Sequence, residues 1–272
     1  MSKLLKLTTY HLILTTFFLI GCSSAPATGS LEILANGEDF VRDGFVSVDG
    51  WQIDFDKLTV NVDSIEAFQT DPPYDASTGA NPNDDATSVS SVAGDFMIDL
   101  TQDRESGEPI VVHTVADAAV GQFNAISWKM SSSGNSPTIQ MIGTAQKDGE
   151  TVNFDISVVS DFGYTCGEYV GDERKGFVEA DNAGDIEMTF HLDHVFGDGD
   201  SPQDDPLNVG ALGFQPLADL AQNGSLVIDS AELVTQLSSE DSAAFQDTLG
   251  TLGHVGEGHC YETTFGYTGD KK

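Results

Sequence analysis

From Trp51 onward apolar and polar residues alternate: Trp51, Ile53 and Phe55, then Leu58, Val60, Val62 and Ile65. A period of two sends successive side chains to opposite faces, so this run predicts a half-buried strand. Runs of the same kind predict further strands at 96–100, 110–115, 123–130, 138–145 and 152–159. Lys147-Asp148-Gly149-Glu150 has tight-turn composition and joins the last two as a hairpin. Asp71 to Ser91, with Pro72, Pro73 and Pro82 among many Asp, Asn and Ser, predicts a long polar loop. At 185–196, Ile186, Met188, Phe190 and Leu192 take one face, and Glu187, Thr189, His191 and Asp193 the other. On that register His194 points inward unless the strand stops first, and Gly197-Asp198-Gly199-Asp200 predicts such a stop.

Helix signals come late. Phe214 to Ala221 accommodates two turns. Asp229-Ser230-Ala231-Glu232 has the capping-box layout ahead of Leu233, Val234 and Leu237. Ser239 is predicted to cap a helix through Leu249. Many short strands with frequent turns give a mainly β protein, an antiparallel β-sandwich-like fold with short helices in the C-terminal third. The natural division is a β-sandwich-like region, 31–160, and a histidine-bearing, acidic region, 161–272, as one domain or two.

The first residues read as a targeting segment. Lys3 and Lys6 precede an apolar stretch from Leu12 to Ile20, too short for a spanning helix but of secretory-signal length. Leu19-Ile20-Gly21-Cys22 resembles the lipobox of bacterial lipoproteins. That resemblance implies a signal peptide at 1–21, lipid on Cys22 as the mature N-terminus, and a tether at 22–30. Ser23, rather than Asp, after the lipidated cysteine points to outer-membrane sorting, facing periplasm or surface. The Trp51–Ile65 run, Phe96-Met97-Ile98-Asp99-Leu100 and Ala119-Val120-Gly121-Gln122-Phe123 resemble segments of uncharacterised β-sandwich lipoproteins of bacteria. This second resemblance covers the first half and implies no active residues.

Export bears on the remaining thiols, Cys166 and Cys260. An even pair in an oxidising compartment reads as a disulfide, closing a loop of 94 residues. Chain entropy assigns such a loop about 4–5 kcal/mol. The competing reading makes Cys260, next to His259, a thiolate ligand. A bridge would also bring Glu168 near the segment 254–259.

The chain carries 44 acidic and 11 basic residues, a net charge of −33. Removing Lys3 and Lys6 with the signal leaves nine basic residues, hence −35. Phosphate backbones require basic surface, so nucleic acid is excluded as a partner. Adsorption to anionic lipid is disfavoured too, leaving the N-terminal lipid as the membrane contact. A solvated acidic surface or cation capture remains.

Four of the five histidines beyond the signal fall in two motifs, His191-Leu-Asp-His194 and His254-Val-Gly-Glu-Gly-His259. Imidazole is the commonest ligand for divalent transition metals, and carboxylates lie between these pairs. Gly253, Gly256 and Gly258 let the second motif fold tightly around an ion. The candidate ligands are His191, Asp193, His194, His254, Glu257 and His259, with Glu168 in reserve. Zinc or copper fits such a set foremost; nickel and iron are compatible. His113, alone in an apolar strand, reads as structural.

The loop from Asp198 to Asn208 alternates acidic oxygens as calcium requires, with Asp198, Asp200, Asp204 and Asp205 as candidate ligands. It departs from the EF-hand pattern at Pro202, and Val209 stands where the twelfth-position glutamate belongs. A nucleophile elbow, a phosphate loop, a dinucleotide fingerprint and a helical His-Glu-x-x-His are all absent from the sequence. The expected function is a lipid-anchored envelope protein binding a divalent metal for capture, delivery or sensing. The alternatives are an envelope interaction module whose acidic loops bind calcium or a protein partner, and a metal-dependent hydrolase.

Overall fold

The computed structural model describes residues 26–265 apart from 103 and 105. The signal segment and Cys22 lie outside the described residues. In chain order the elements are β1 (Thr28–Asn36), α1 (Glu38–Asp43), β2 (Phe45–Val46), β3 (Gln52–Thr70), β4 (Ala86–Asp99), β5 (Ile110–Ala119), β6 (Gly121–Gln122) and β7 (Ala125–Met130). Next come β8 (Ile139–Lys147), β9 (Glu150–Val158), β10 (Asp161–Cys166), β11 (Phe177–Val178), β12 (Ala183–Phe190), α2 (Asp193–Phe196) and α3 (Gln215–Ala218). The order closes with β13 (Ser225–Asp229), α4 (Ser230–Gln236), α5 (Ser239–Gly250), β14 (Gly253–Val255), β15 (Gly258–His259) and β16 (Tyr261–Phe265).

β3 is the spine of the larger sheet, ordered β13-β9-β8-β3-β7-β10-β16, with β2 and β4 also pairing β3. Its apolar positions step by two except from Phe55 to Leu58 and from Val62 to Ile65. Register shifts fall at those two breaks, Phe55/Lys57 against β8 and Val62/Ser64 against β4 and β7. A bulge restores the inward phase of each new apolar run and bends the strand. The first half of β3 therefore pairs β8 and the second half β7.

The smaller sheet runs β15-β14-β12-β1-β5. Its β1–β12 pair is parallel, as is β13–β9, against antiparallel pairing elsewhere. Mainly β architecture with a sandwich-like arrangement thus holds, but the sheets are mixed. One buried cluster, running from Leu31 to Val255, fills the space inside both sheets. Phe45, Phe55, Phe154, Phe196 and Phe214 stack at its centre with ring centroids 5.5–6.4 Å apart.

Several expectations are met closely. Lys147 pairs Glu150 across a two-residue turn whose Asp148 and Gly149 adopt φ of 51° and 86°, the left-handed pair a tight hairpin needs. The Asp229 carboxylate caps α4 by accepting from Glu232 N–H at 2.8 Å. Two expectations shift. β4 begins at Ala86, so the polar loop is shorter than 71–91. The stretch 86–91 pairs with β3 while facing solvent on most positions, so its polar composition hid a strand. The cap of α5 is Ser238, accepting from Asp241 N–H at 3.1 Å, not Ser239.

In β12 every residue from Ile186 to Phe190 is buried, although alternation predicted a polar face. β12 lies between β1 and β14, and Glu187 survives there because it is fully partnered. Its carboxylate meets Lys175 Nζ at 3.1 Å and accepts from Asn36 Nδ2 at 3.0 Å.

Candidate metal centre

The β12 ladder stops at Phe190, and the chain turns through His191 into α2. His191 N–H donates to Leu252 O at 3.0 Å, and Gly197 N–H closes α2 onto Asp193 O at 2.6 Å. This early stop releases His194 from the strand register and aims it toward the same place as His191. β14 pairs β12 with Thr189 opposite His254, and β14–β15 then places His254 opposite His259. Both histidine motifs therefore meet at one corner of the smaller sheet.

The glycines of the second motif have specific reasons. A Cβ on Gly253 would lie 2.3 Å from the Tyr164 ring. Gly256 has φ of 57°, and a Cβ there would come 2.2 Å from Val170 O. Gly256 N–H donates to Thr189 Oγ1 at 2.8 Å, which ties the hairpin to β12. The Cys166–Cys260 disulfide fastens the same hairpin to β10 of the larger sheet.

The rings of His191 and His254 stack at 4.0 Å with 17° between planes. His194 meets His254 edge-on at 4.9 Å. One nitrogen from each of His191, His194 and His254 lies within 4.8 Å of the others, a grouping that could hold a metal ion. Among the described residues it is the one such group found. His259 stands outside it, exposed, with its ring 4.5 Å from His254.

Carboxylates surround the imidazoles. Asp193 Oδ1 is 3.9 Å from His191 Nδ1, and Glu38 Oε2 is 3.4 Å from His191 Nε2. The Glu38 contact is ionic without hydrogen-bond alignment, since His191 Nε2 has no bonded partner. Both nitrogens of His254 and Asp193 Oδ1 are likewise buried without partners. Leaving a buried polar atom unpaired costs about 1–3 kcal/mol, so four on adjacent residues call for an occupant.

The tautomer of His194 follows from its neighbours. Thr251 Oγ1 donates its single proton to Thr248 O at 3.0 Å. The 3.0 Å contact between that oxygen and His194 Nδ1 must then run from the ring N–H to the hydroxyl. The proton sits on Nδ1 and leaves the lone pair on Nε2, the arrangement that outer partners of metal-bound histidines commonly enforce.

Electrostatics separate the rings. Burial, reinforced by the other histidines, pushes His254 down to about 2 and His194 down to about 4. Burial also opposes charge on His191, but Glu38, Asp193 and Glu257 outweigh it and its pKa is raised. Burial raises Asp193 to about 6, with Glu38 adding to the shift against the opposing effect of His191. The pocket thus accepts one positive charge among neutral imidazoles, and neutral imidazole is the ligating form.

Glu38, from the opposite end of the chain, is the residue sequence reasoning missed. Its backbone has φ of 60°, a left-handed conformation that costs a non-glycine residue of order 1–3 kcal/mol. Asn36 Oδ1 holds it by accepting from Glu38 N–H at 2.9 Å. Nothing in the local sequence marks it; Thr251 had at least its place between a helix end and His254.

Other predicted residues go elsewhere. Glu168 sits near the hairpin, but its carboxylate accepts from Arg174 at 2.6 Å and Gln122 at 2.7 Å, which leaves it outside the cluster. Cys260 is in the disulfide and has no free thiolate. His113 is exposed beside Phe96 rather than packed in a core. In the acidic loop, Asp198 accepts from Asp200 N–H at 2.9 Å and Ser201 Oγ at 2.6 Å, and Asp205 accepts from Leu207 N–H at 3.0 Å. Asp198, Asp200, Asp204 and Asp205 do not gather into an ion-holding group. Glu257 is exposed at the hairpin turn and lines the same cavity as the histidines. Compared with family models, curated proteins and solved structures, the chain gives no match.

Proposed function

We propose that this chain is an exported, lipid-anchored protein of the cell envelope that binds a divalent transition metal, zinc or copper foremost, for capture, delivery or sensing. The observation that carries the reading is the convergence of His191, His194 and His254, two of them with buried nitrogens that lack partners. A dipositive ion supplies what those nitrogens lack, and Glu38, Asp193 and Glu257 offset its charge. The lipobox-like segment and the disulfide support an exported location, since disulfides persist in oxidising compartments. The acidic surface supports cation capture by raising the local cation concentration.

The test is metal content by mass spectrometry on the mature protein, exported with its disulfide intact and purified without chelator or histidine tag. Near-stoichiometric zinc, copper, nickel or iron that disappears in the His191→Ala/His254→Ala variant supports the site. Calcium alone, no metal after reconstitution, or unchanged stoichiometry in the variant overturns it. Anchoring is tested separately: radiolabelled fatty acid should enter the wild type and not Cys22→Ser.

A further inference from the structure

The histidines form one wall of a cavity of about 760 Å³. A water molecule in the liquid occupies about 30 Å³, whereas sites for organic ligands span roughly 300–1,000 Å³. The space is therefore far larger than an ion and its hydration require. Phe40 of α1, Leu207 and Val209 of the loop after α2, Ala211, and Ala244 of α5 supply apolar surface to it. Five carboxylates, Glu38, Asp193, Asp205, Asp247 and Glu257, line it without any lysine or arginine. The unpartnered, buried nitrogens of His191 and His254 belong to the same lining.

Three imidazole nitrogens leave a transition metal with at least one coordination position to fill. An anionic ligand would meet five carboxylates with no basic side chain to offset them. We propose, resting on the metal reading above, that the cavity takes an aliphatic diamine, held as a third component by the metal. One amine binds as the free base, donating its lone pair to the metal and releasing its proton to solvent. The methylene chain covers Phe40, Leu207 and Val209. The second amine stays protonated and faces Asp205 and Asp247, the two lining acids not engaged with His191, since Glu38 and Asp193 pair with its ring and Glu257 acts on its charge.

The experiment uses the mature, disulfide-intact protein loaded with cobalt(II), whose visible absorption reports its ligands. It is titrated with cadaverine, pentylamine and glutarate. Cadaverine should shift the band saturably, bind about threefold to tenfold tighter than pentylamine, and far outrank glutarate. Asp205→Asn/Asp247→Asn should reduce cadaverine to the pentylamine level while cobalt content stays unchanged. A band unmoved by cadaverine in protein that holds cobalt overturns the inference and leaves the metal reading standing. The same follows if glutarate binds more tightly, or if calorimetry gives equal cadaverine affinity without metal. Failure to hold cobalt, zinc or copper at all removes both.

Discussion

Replacing His254 with leucine should make the metal-free protein more stable, which is unusual for a substitution at a residue only 2% exposed. Both ring nitrogens of His254 are buried without partners. At about 1–3 kcal/mol each, removing them relieves roughly 2–6 kcal/mol. Against this stand about 0.5–1.5 kcal/mol of stacking with His191 and about 1 kcal/mol of imperfect fit. Taking the middle of each range, the net gain is about 2 kcal/mol, or roughly 4–8 °C in melting temperature for a domain of this size. Saturating metal reverses the order. Wild type gains about 4 kcal/mol at a thousand times Kd, and the variant gains nothing. Differential scanning calorimetry with and without zinc reads both arms. A metal-free variant less stable than wild type would refute the reasoning, because it would mean the imidazole is satisfied in place.

Thr251→Val removes the acceptor that keeps the proton of His194 on Nδ1, so zinc affinity by calorimetry should fall about 10–100-fold while circular dichroism is unchanged. Glu38→Gly relaxes a backbone at φ 60° and deletes a carboxylate beside His191, so the metal-free melting temperature should hold or rise as metal affinity drops. In the metal-free protein, ring nitrogen NMR at pH 5 should find His254 neutral, since burial holds it to about 2, and His191 protonated, since its pKa is raised. The opposite order of titration would contradict the proposed charge arrangement.

Where one segment decides its own conformation, the sequence was readable. Lys147 to Glu150 encodes its turn, Asp229 and Glu232 encode a helix start, and Cys166 and Cys260, the two thiols left beside Cys22, pair as expected. The histidine motifs were visible because their chemistry is rare and clustered. Residues recruited by tertiary contact were not. Glu38 enters the centre only because β1 lies parallel to β12, a pairing no local pattern announces. The first part of β4, 86–91, escaped notice because its exposed positions give it loop-like composition, whereas its end at 96–99 was expected. Glu168 lies near the hairpin as expected but is no ligand, for a related reason: the disulfide fixed where the backbone goes, whereas Arg174 and Gln122 take the carboxylate.

The parallel pairing of β1 with β12 also sets the order of assembly. β1 can pair β5 on one edge early, but its other edge waits for a strand beginning at Ala183, and β12 waits for β14. Contacts this distant in sequence form late, because a long loop must close before they stabilise anything. Glu38 and the four histidines are therefore scattered until nearly all of the chain is available. On the proposed export route, any ion the site takes is chosen where folding finishes, and the compartment of synthesis has no assembled site to fill.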